Sequence, residues 1–425
     1  MEPKKIQLLI LTDLYPSHYR PNDGVFVWRM ARALGETGRA NVHVVALRRL
    51  FPEWHLLRAM VHGDWGKCQR YWRHWMTREA LLQKSRDCVR FGRICYTGLP
   101  RIFGQATWGK AAYAFGGKFL KRLNQEMRFD IVHAHFAIAS GHVAQLVADE
   151  GGPPFVVSIH GYEVAFTAKR PGGKAVLRRV LGSARAVIAN SSRTRDRILE
   201  LGNVDPGLVR IIYQGGDCEA ENDVPLVKIE HHSEEFQVLT VGGLERQKGQ
   251  DVVLRAAARL NRGGFPVRCT FIGEGNDLPR LQRLVRELGL GGQVVFTGPV
   301  PPQRMGKYYE ACNAFVLPSW NEAFGVAYVE AMHYGKPVVG LVGEGGPEDL
   351  ARLGAGIVRI PRDDDAVLAS IISRWIRLPA EAEEMGRRNR DLARRELTWA
   401  CHARKLMKLY EEILNGKCLQ DAMSV

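Results

Sequence analysis

Two carboxylates, Glu322 and Glu330, stand eight positions apart in the stretch Ser319-Trp-Asn-Glu-Ala-Phe-Gly-Val-Ala-Tyr-Val-Glu-Ala-Met-His-Tyr-Gly-Lys-Pro-Val-Val. A helix starting near Gly325 would present unsatisfied amide N–H groups and the positive end of its dipole in the first turn. Such an end binds phosphate without further help. Glu322 would then sit at the mouth of the helix. An offset of eight is about two turns, which puts Glu330 near the same face. One site could hold a phosphate on amides and two hydroxyl-bearing groups on two carboxylates. A sugar nucleotide has that pattern: sugar, diphosphate, ribose. A bare pair at this spacing reads better as two solvated glutamates on an ordinary amphipathic helix. The flanking Phe-Gly and Glu-Ala-Met-x-x-Gly-x-Pro-Val reverse that preference here.

A second cluster follows an apolar run: Val241-Gly-Gly243-Leu-Glu-Arg246-Gln-Lys248-Gly249. A strand, a glycine turn and cations before a helix suit phosphate. Each cation attracts a phosphate at about 4 Å by roughly 4 kcal/mol at an effective dielectric near 20, before desolvation is subtracted. Gly24, after Pro-Asn-Asp, precedes another helical pattern and would let backbone approach a ligand. His160-Gly-Tyr162 ends a strand-like run, where an imidazole could bond a sugar hydroxyl or act at the reacting carbon. His133 and His135 alternate on one strand. His135 and Tyr162 are weaker candidates for the acceptor side, and strand-end packing explains His135 equally well. Asp363-Asp-Asp365 tempts as a metal cluster, but it follows Pro361 and precedes an apolar run, so a helix N-terminus explains it better. No metal site is expected.

Several elements must position these residues. Apolar runs at residues 6–11, 42–47, 130–136, 154–161, 186–191 and 209–213 alternate with helical patterns. A second series begins at Phe236, with runs at 267–273, 294–297, 314–317 and 337–340. This alternation predicts α/β architecture: two doubly wound, Rossmann-like parallel-sheet domains facing a cleft. The expected divisions are residues 1–217, a linker at 218–235, a second domain at 236–395, and a final helical segment at 396–425. In such sheets ligands bind beyond the carboxyl ends of the strands, where every motif above falls.

The chain has 425 residues, which suits two domains. Its eight cysteines form no C-x-x-C pair, which suggests a reducing compartment. The first residues are too short an apolar run for a signal peptide, and no window spans a membrane. The net charge of +15 is concentrated: residues 48–122 carry 16 Lys or Arg against four Asp or Glu, and five of the nine Trp. Basic residues interleaved with Trp suit an anionic membrane surface. A packed elaboration is the next reading, and nucleic acid is the least favoured partner.

Taken together, Pro21-Asn-Asp-Gly24, His133-Ala-His135-Phe, His160-Gly161, Leu244-x3-Lys248-Gly249, Phe271-Ile-Gly273-Glu-Gly275 and Glu322-Ala-Phe-Gly325 through Glu330 resemble the retaining GT-B glycosyltransferases of family 4 type, which include teichuronic acid, capsule, exopolysaccharide and mannosyl transferases. The resemblance implies metal-independent transfer, with no cofactor, from a nucleotide sugar (UDP- or GDP-linked) to a glycan or lipid-linked acceptor, with retention at the anomeric carbon. It implies a cytoplasmic protein, peripheral on the inner membrane face through residues 48–122. It assigns Glu322 to the donor sugar, Glu330 to the ribose, Lys248 to the diphosphate, and His160 to the sugar. The Ala323-Phe324-Gly325 backbone, Gly243, Gly273 and Gly24 would line the donor. The family often carries Arg where this chain has Gly243, and Arg246 is the candidate replacement. His-Gly-x-Asp is here His-Gly-Tyr-Glu163. Other uses of the same fold are a sugar-nucleotide epimerase or hydrolase, or a non-catalytic basic scaffold.

Overall fold

The structure is a computed structural model that describes residues 4–16, 22–50, 63, 83–84, 89–100, 104–216 and 235–416. Trp54, Trp65, Trp72, Trp75 and the linker at 218–234 lie outside the described residues. Contacts divide the chain into two units. The first comprises residues 1–190, 194–212 and 403–425, and the second residues 191–193 and 213–402.

The first unit is built on β1 (Ile6–Thr12), β2 (Ala40–Leu50), β3 (Gln83–Lys84), β4 (Val89–Thr97), β5 (Ile131–His135), β6 (Phe155–Ile159), β7 (Ala186–Ala189) and β8 (Val209–Ile211). The spatial order is β3-β4-β2-β1-β5-β6-β7-β8. All pairs are parallel except β3–β4. The central strands are continuous apolar runs because both faces are covered; β5, β6 and β7 are buried at every position. Helix α1 (Val25–Glu36) follows β1, and α2 (Trp108–Met127) packs between β4 and β5 in sequence. The order reverses between β1 and β5. Register aligns Thr12 with His135 and His135 with Ser158, so the loops carrying Asp13, Phe136 and His160 leave one edge together.

The segment at 48–122 is therefore not one insertion. Val89–Thr97 is a strand paired along β2, and α2 is a packed helix of the domain. Arg93, Cys95 and Thr97 alternate with buried Gly92, Ile94 and Tyr96 on β4, which conceals a strand inside a basic composition. Trp108 is 6% exposed, its Nε1 donates to the Leu99 carbonyl, and Arg49 lies 4.4 Å over its ring. It belongs to the core and presents no face to a surface.

The second unit holds β9 (Phe236–Val241), β10 (Val267–Ile272), β11 (Val294–Gly298), β12 (Ala314–Val316), β13 (Val338–Leu341) and β14 (Ile357–Ile360), in the order β11-β10-β9-β12-β13-β14, all parallel. Its helices include α3 (Gln250–Arg262), α4 (Met305–Ala311), α5 (Val326–His333), α6 (Gly345–Arg352), α7 (Pro379–Glu396) and α8 (Trp399–Leu414). The order reverses between β9 and β12, which Thr240 ties by donating to the Val316 carbonyl at 2.7 Å. The division between units falls inside α8, between His402 and Ala403, rather than at residue 396. Within the first unit, Tyr410 of α8 meets His133 of β5 at 2.6 Å.

Candidate active site

In the second unit, the loops leaving β9 and β12 occupy the point where strand order reverses, the usual ligand crevice of such sheets. Three ties join them. The Trp320 amide donates to the Gln247 carbonyl at 2.9 Å. Gly249, with φ +69°, lies so close to the Pro318 carbonyl that no Cβ would fit. Lys248 Nζ lies 2.7 Å from Glu322 Oε2. Their side chains are 22% and 12% exposed, so the pair is only weakly screened by water. Burial alone would raise the Glu322 carboxyl. The Lys248 ammonium, with the Ser319 hydroxyl and the Ala323 amide, outweighs it and holds the group below its ordinary value.

Gly325 precedes α5 in the left-handed conformation, φ 77°, and contributes no capping side chain to its first turn. The helix begins one residue later and keeps Glu330 in its interior, where Tyr309 donates to Glu330 Oε2 at 2.7 Å. Phe324 is buried and stacks on Tyr213 at 5.6 Å. The loop after β10 packs on the loop after β9: the Leu244 amide donates to the Glu274 carbonyl at 3.0 Å, and Gly273 abuts the Gly242 carbonyl. Gly243, Gly273, Lys248, Glu322, Ala323, Phe324, Gly325 and Glu330 thus all lie on the strand-end loops and first helix turns of this unit. Arg246 lies on the same short turn as Lys248, with its side chain exposed.

In the first unit, Gly24 has φ +67° and packs on the Leu14–Tyr15 backbone, which leaves no room for a Cβ. His160 Nε2 lies 3.1 Å from His135 Nδ1, and its ring packs on Phe26 and Phe136 at 4.8 and 4.7 Å. His135 is buried between His133 and His160. Tyr162 is exposed and its hydroxyl accepts from Arg170 at 3.1 Å. Asp364 caps the helix at 365–377 by accepting from the Val367 amide. Among the described residues no group of three metal-ligating side chains converges.

The family profile described as Glycosyl transferases group 1 matches residues 226–392, and that described as Glycosyltransferase Family 4 matches residues 24–220. D-inositol 3-phosphate glycosyltransferase 1 of Catenulispora acidiphila is 30% identical over 303 residues, 66% of this chain and 69% of that protein. The chain belongs to the family 4 glycosyltransferases. TuaC, assigned to teichuronic acid biosynthesis in Bacillus subtilis, is similar to this glycosyltransferase at 26% identity over 79% of its chain and 80% of TuaC. Sucrose-phosphate synthase from Thermosynechococcus elongatus shares the fold at TM-score 0.71 and 21% identity, covering 97% of this chain and all of that one. HepE of Anabaena, solved with UDP and glucose, aligns at TM-score 0.66 and 19% identity over 96% of this chain and 100% of its own. The fold is GT-B, with two Rossmann-like domains.

Several residues that support the glycosyltransferase's site escape sequence reasoning. Glu344, at the start of α6, accepts from the Glu322 amide at 3.0 Å and pairs with Arg193 at 3.0 Å. Only its place before Gly345-Gly346 at a strand end hints at this. Gly346 lies so close to the Phe324 carbonyl that an added Cβ would overlap it. Gln250 donates to the Gly243 carbonyl at 2.9 Å. In the first unit two acids hold the loops at the strand ends, Asp13 the turn after β5 and Glu163 the one after β6. Asp13 accepts from the amides of Ala139 and Ser140 at 2.8 and 3.1 Å. Glu163 accepts from the His160 amide at 3.3 Å, while its Oε1 is buried with no hydrogen-bond partner. Burial pushes the Glu163 carboxyl up to about 7; the amides of Glu163, His160 and Ala137 oppose that rise and Asp13 adds to it.

Proposed function

We propose that this glycosyltransferase moves a sugar from a nucleoside-diphosphate donor, UDP-linked as the first expectation, to a glycan or lipid-linked acceptor, with retention and without a metal ion. The observation that carries this reading is the Lys248–Glu322 pair at the sheet's reversal point, beside the open first turn of α5. A diphosphate at that turn would take the Lys248 ammonium and the first amides of α5, and the sugar's hydroxyls would donate to Glu322. Glu330, about one turn into α5, is the carboxylate for the ribose. Charge develops on the departing diphosphate, so a cation and amides already aimed there lower the barrier most. His160, held by His135 and Glu163, is the imidazole for the transferred sugar. UDP and glucose in the HepE structure support the choice of UDP for the first assay.

The acceptor reading points to cell-surface polysaccharide or glycolipid synthesis, which the likeness to TuaC supports. No helix among the described residues is long and apolar enough to cross a membrane. Peripheral docking on anionic lipid remains part of the proposal. Of the described segment, α2 supplies exposed Lys110, Lys118 and Phe115. Flotation with anionic vesicles should show binding that weakens with salt; absence of binding at low salt removes this part.

The testing experiment is a thermal-shift screen of UDP, GDP, ADP and their sugar conjugates on the wild type and Glu330→Ala. A ligand at a hundredfold excess over its Kd adds about 2.7 kcal/mol of stability. A shift with one nucleotide, lost in the variant, supports the site. No shift with any of them sinks it. The anomeric configuration of the product, read by NMR, tests retention.

A further inference from the structure

Tyr309 lies on α4, outside every motif that the sequence singles out. Its side chain is wholly buried, its ring stacks on Tyr334 at 5.5 Å and 17°, and it tilts against Phe315 at 6.0 Å. From this packed position its hydroxyl donates to Glu330 Oε2 at 2.7 Å. A buried phenol needs a partner for its O–H, and a hydrogen bond to a carboxylate is stronger than one between neutral groups. A glutamate on a half-exposed helix face would otherwise sample several rotamers. Held by a ring that cannot itself turn, the carboxylate plane is set before any ligand arrives, and the entropy of ordering it is not charged to binding.

We propose that Tyr309 is a positioning residue for nucleoside recognition: it fixes the Glu330 carboxylate to accept from the vicinal hydroxyls of a ribose, so that the enzyme distinguishes ribonucleotides from 2′-deoxyribonucleotides. This rests on the reading of Glu330 as the ribose carboxylate. A site built to bond a hydroxyl rejects the analogue that lacks it, because its own polar group is left unmatched. That rejection is sharp only while the carboxylate is held still.

The test compares Kd for UDP and 2′-deoxy-UDP, and for the matching GDP pair, on the wild type, Tyr309→Phe, Glu330→Gln and Glu330→Asp. Phe keeps the ring and its stacking and removes only the hydroxyl. Tyr309→Phe should weaken the ribonucleotide by about 5- to 10-fold and leave the deoxy form within about twofold, the size expected for one charge-assisted hydrogen bond acting through orientation. Equal weakening of both forms, or an unchanged ratio, overturns the proposal. Glu330→Asp withdraws the carboxylate from the Tyr309 hydroxyl. It should collapse the ratio, and adding Tyr309→Phe should then cost nothing more. A further loss in that double variant argues for a packing role and against positioning. Full ribose preference in Glu330→Gln, or no binding of either pair to the wild type, defeats the Glu330 reading itself. Loss of preference in Glu330→Gln with retention in Tyr309→Phe defeats the Tyr309 inference alone.

Discussion

Glu163 offers a prediction whose size follows from its surroundings. The carboxyl is 2% exposed and stands at about 7, against an ordinary value of 4.5. The folded protein therefore keeps this proton over a range where the unfolded chain has released it. In that range, from about pH 4.5 to 7, stability falls as pH rises; above pH 7 both states are ionised and the decline stops. At about 1.4 kcal/mol per pH unit, the loss over the window is about 3 kcal/mol. Glu163→Gln keeps an oxygen for the His160 amide and carries no titrating proton. Its stability should lack this decline, so the variant gains on the wild type by about 3 kcal/mol between pH 4.5 and 7, whatever constant cost the new amide brings. Asp13 and the other titrating groups are common to both proteins, and their contributions largely cancel in the difference. Hydrogen exchange of the peptide bearing β6, across a urea series at pH 5, 6, 7 and 8, reads the local unfolding energy of the first unit. Parallel pH profiles for the two proteins would refute the argument and place the Glu163 proton near its ordinary value.

Lys248→Ala should lower kcat/KM by about 100-fold or more, as expected for a cation aimed at leaving-group charge, whereas Arg246→Ala, at an exposed position, should change it by less than about threefold; steady-state kinetics decides, and equal losses would show that Arg246 carries as much of the donor contact as Lys248. Gly346→Ala should destabilise the second unit by more than about 2 kcal/mol, because the new Cβ drives into the Phe324 carbonyl and the loop must move; urea denaturation gives the value. Tyr410→Phe should cost the first unit about 1–2 kcal/mol by removing the buried O–H that meets His133, with the thermal midpoint falling accordingly.

Much of the fold can be read from the chain because its central strands are short apolar runs with glycine-rich loops at their ends. Gly24, Gly249 and Gly325 have sequence signatures because each holds a positive φ where a side chain would be strained or would collide. The Glu322-to-Glu330 stretch stands out in the chain, but only Glu330 lies on α5; Glu322 sits four residues before Val326 on the loop after β12, so the offset of eight is not two turns of one helix. What escapes is partnership across distance. Nothing near Lys248 announces that its ammonium meets Glu322, 74 residues away. Glu344 and Tyr309 belong to other strand–helix units and reach Glu322 and Glu330 only after the sheet has brought those units side by side. Strand β4 is hidden differently: counting charge over a window averages away the alternation of Arg93, Cys95 and Thr97 with buried Gly92, Ile94 and Tyr96.

The membership of residues 403–416 in the first unit has a consequence for synthesis. Residues 1–212 leave the ribosome before α8, so the Tyr410 hydroxyl that meets His133 is made only after residues 213–402. At about 5–20 residues per second, the intervening stretch of about 190 residues takes roughly 10–40 s to translate. For that time the first sheet must persist without the helix that completes it, exposing the ground now covered by Leu406, Met407 and Tyr410, which are fully buried in the finished protein. The nascent first domain thus waits with an apolar patch uncovered until the last turns of α8 arrive.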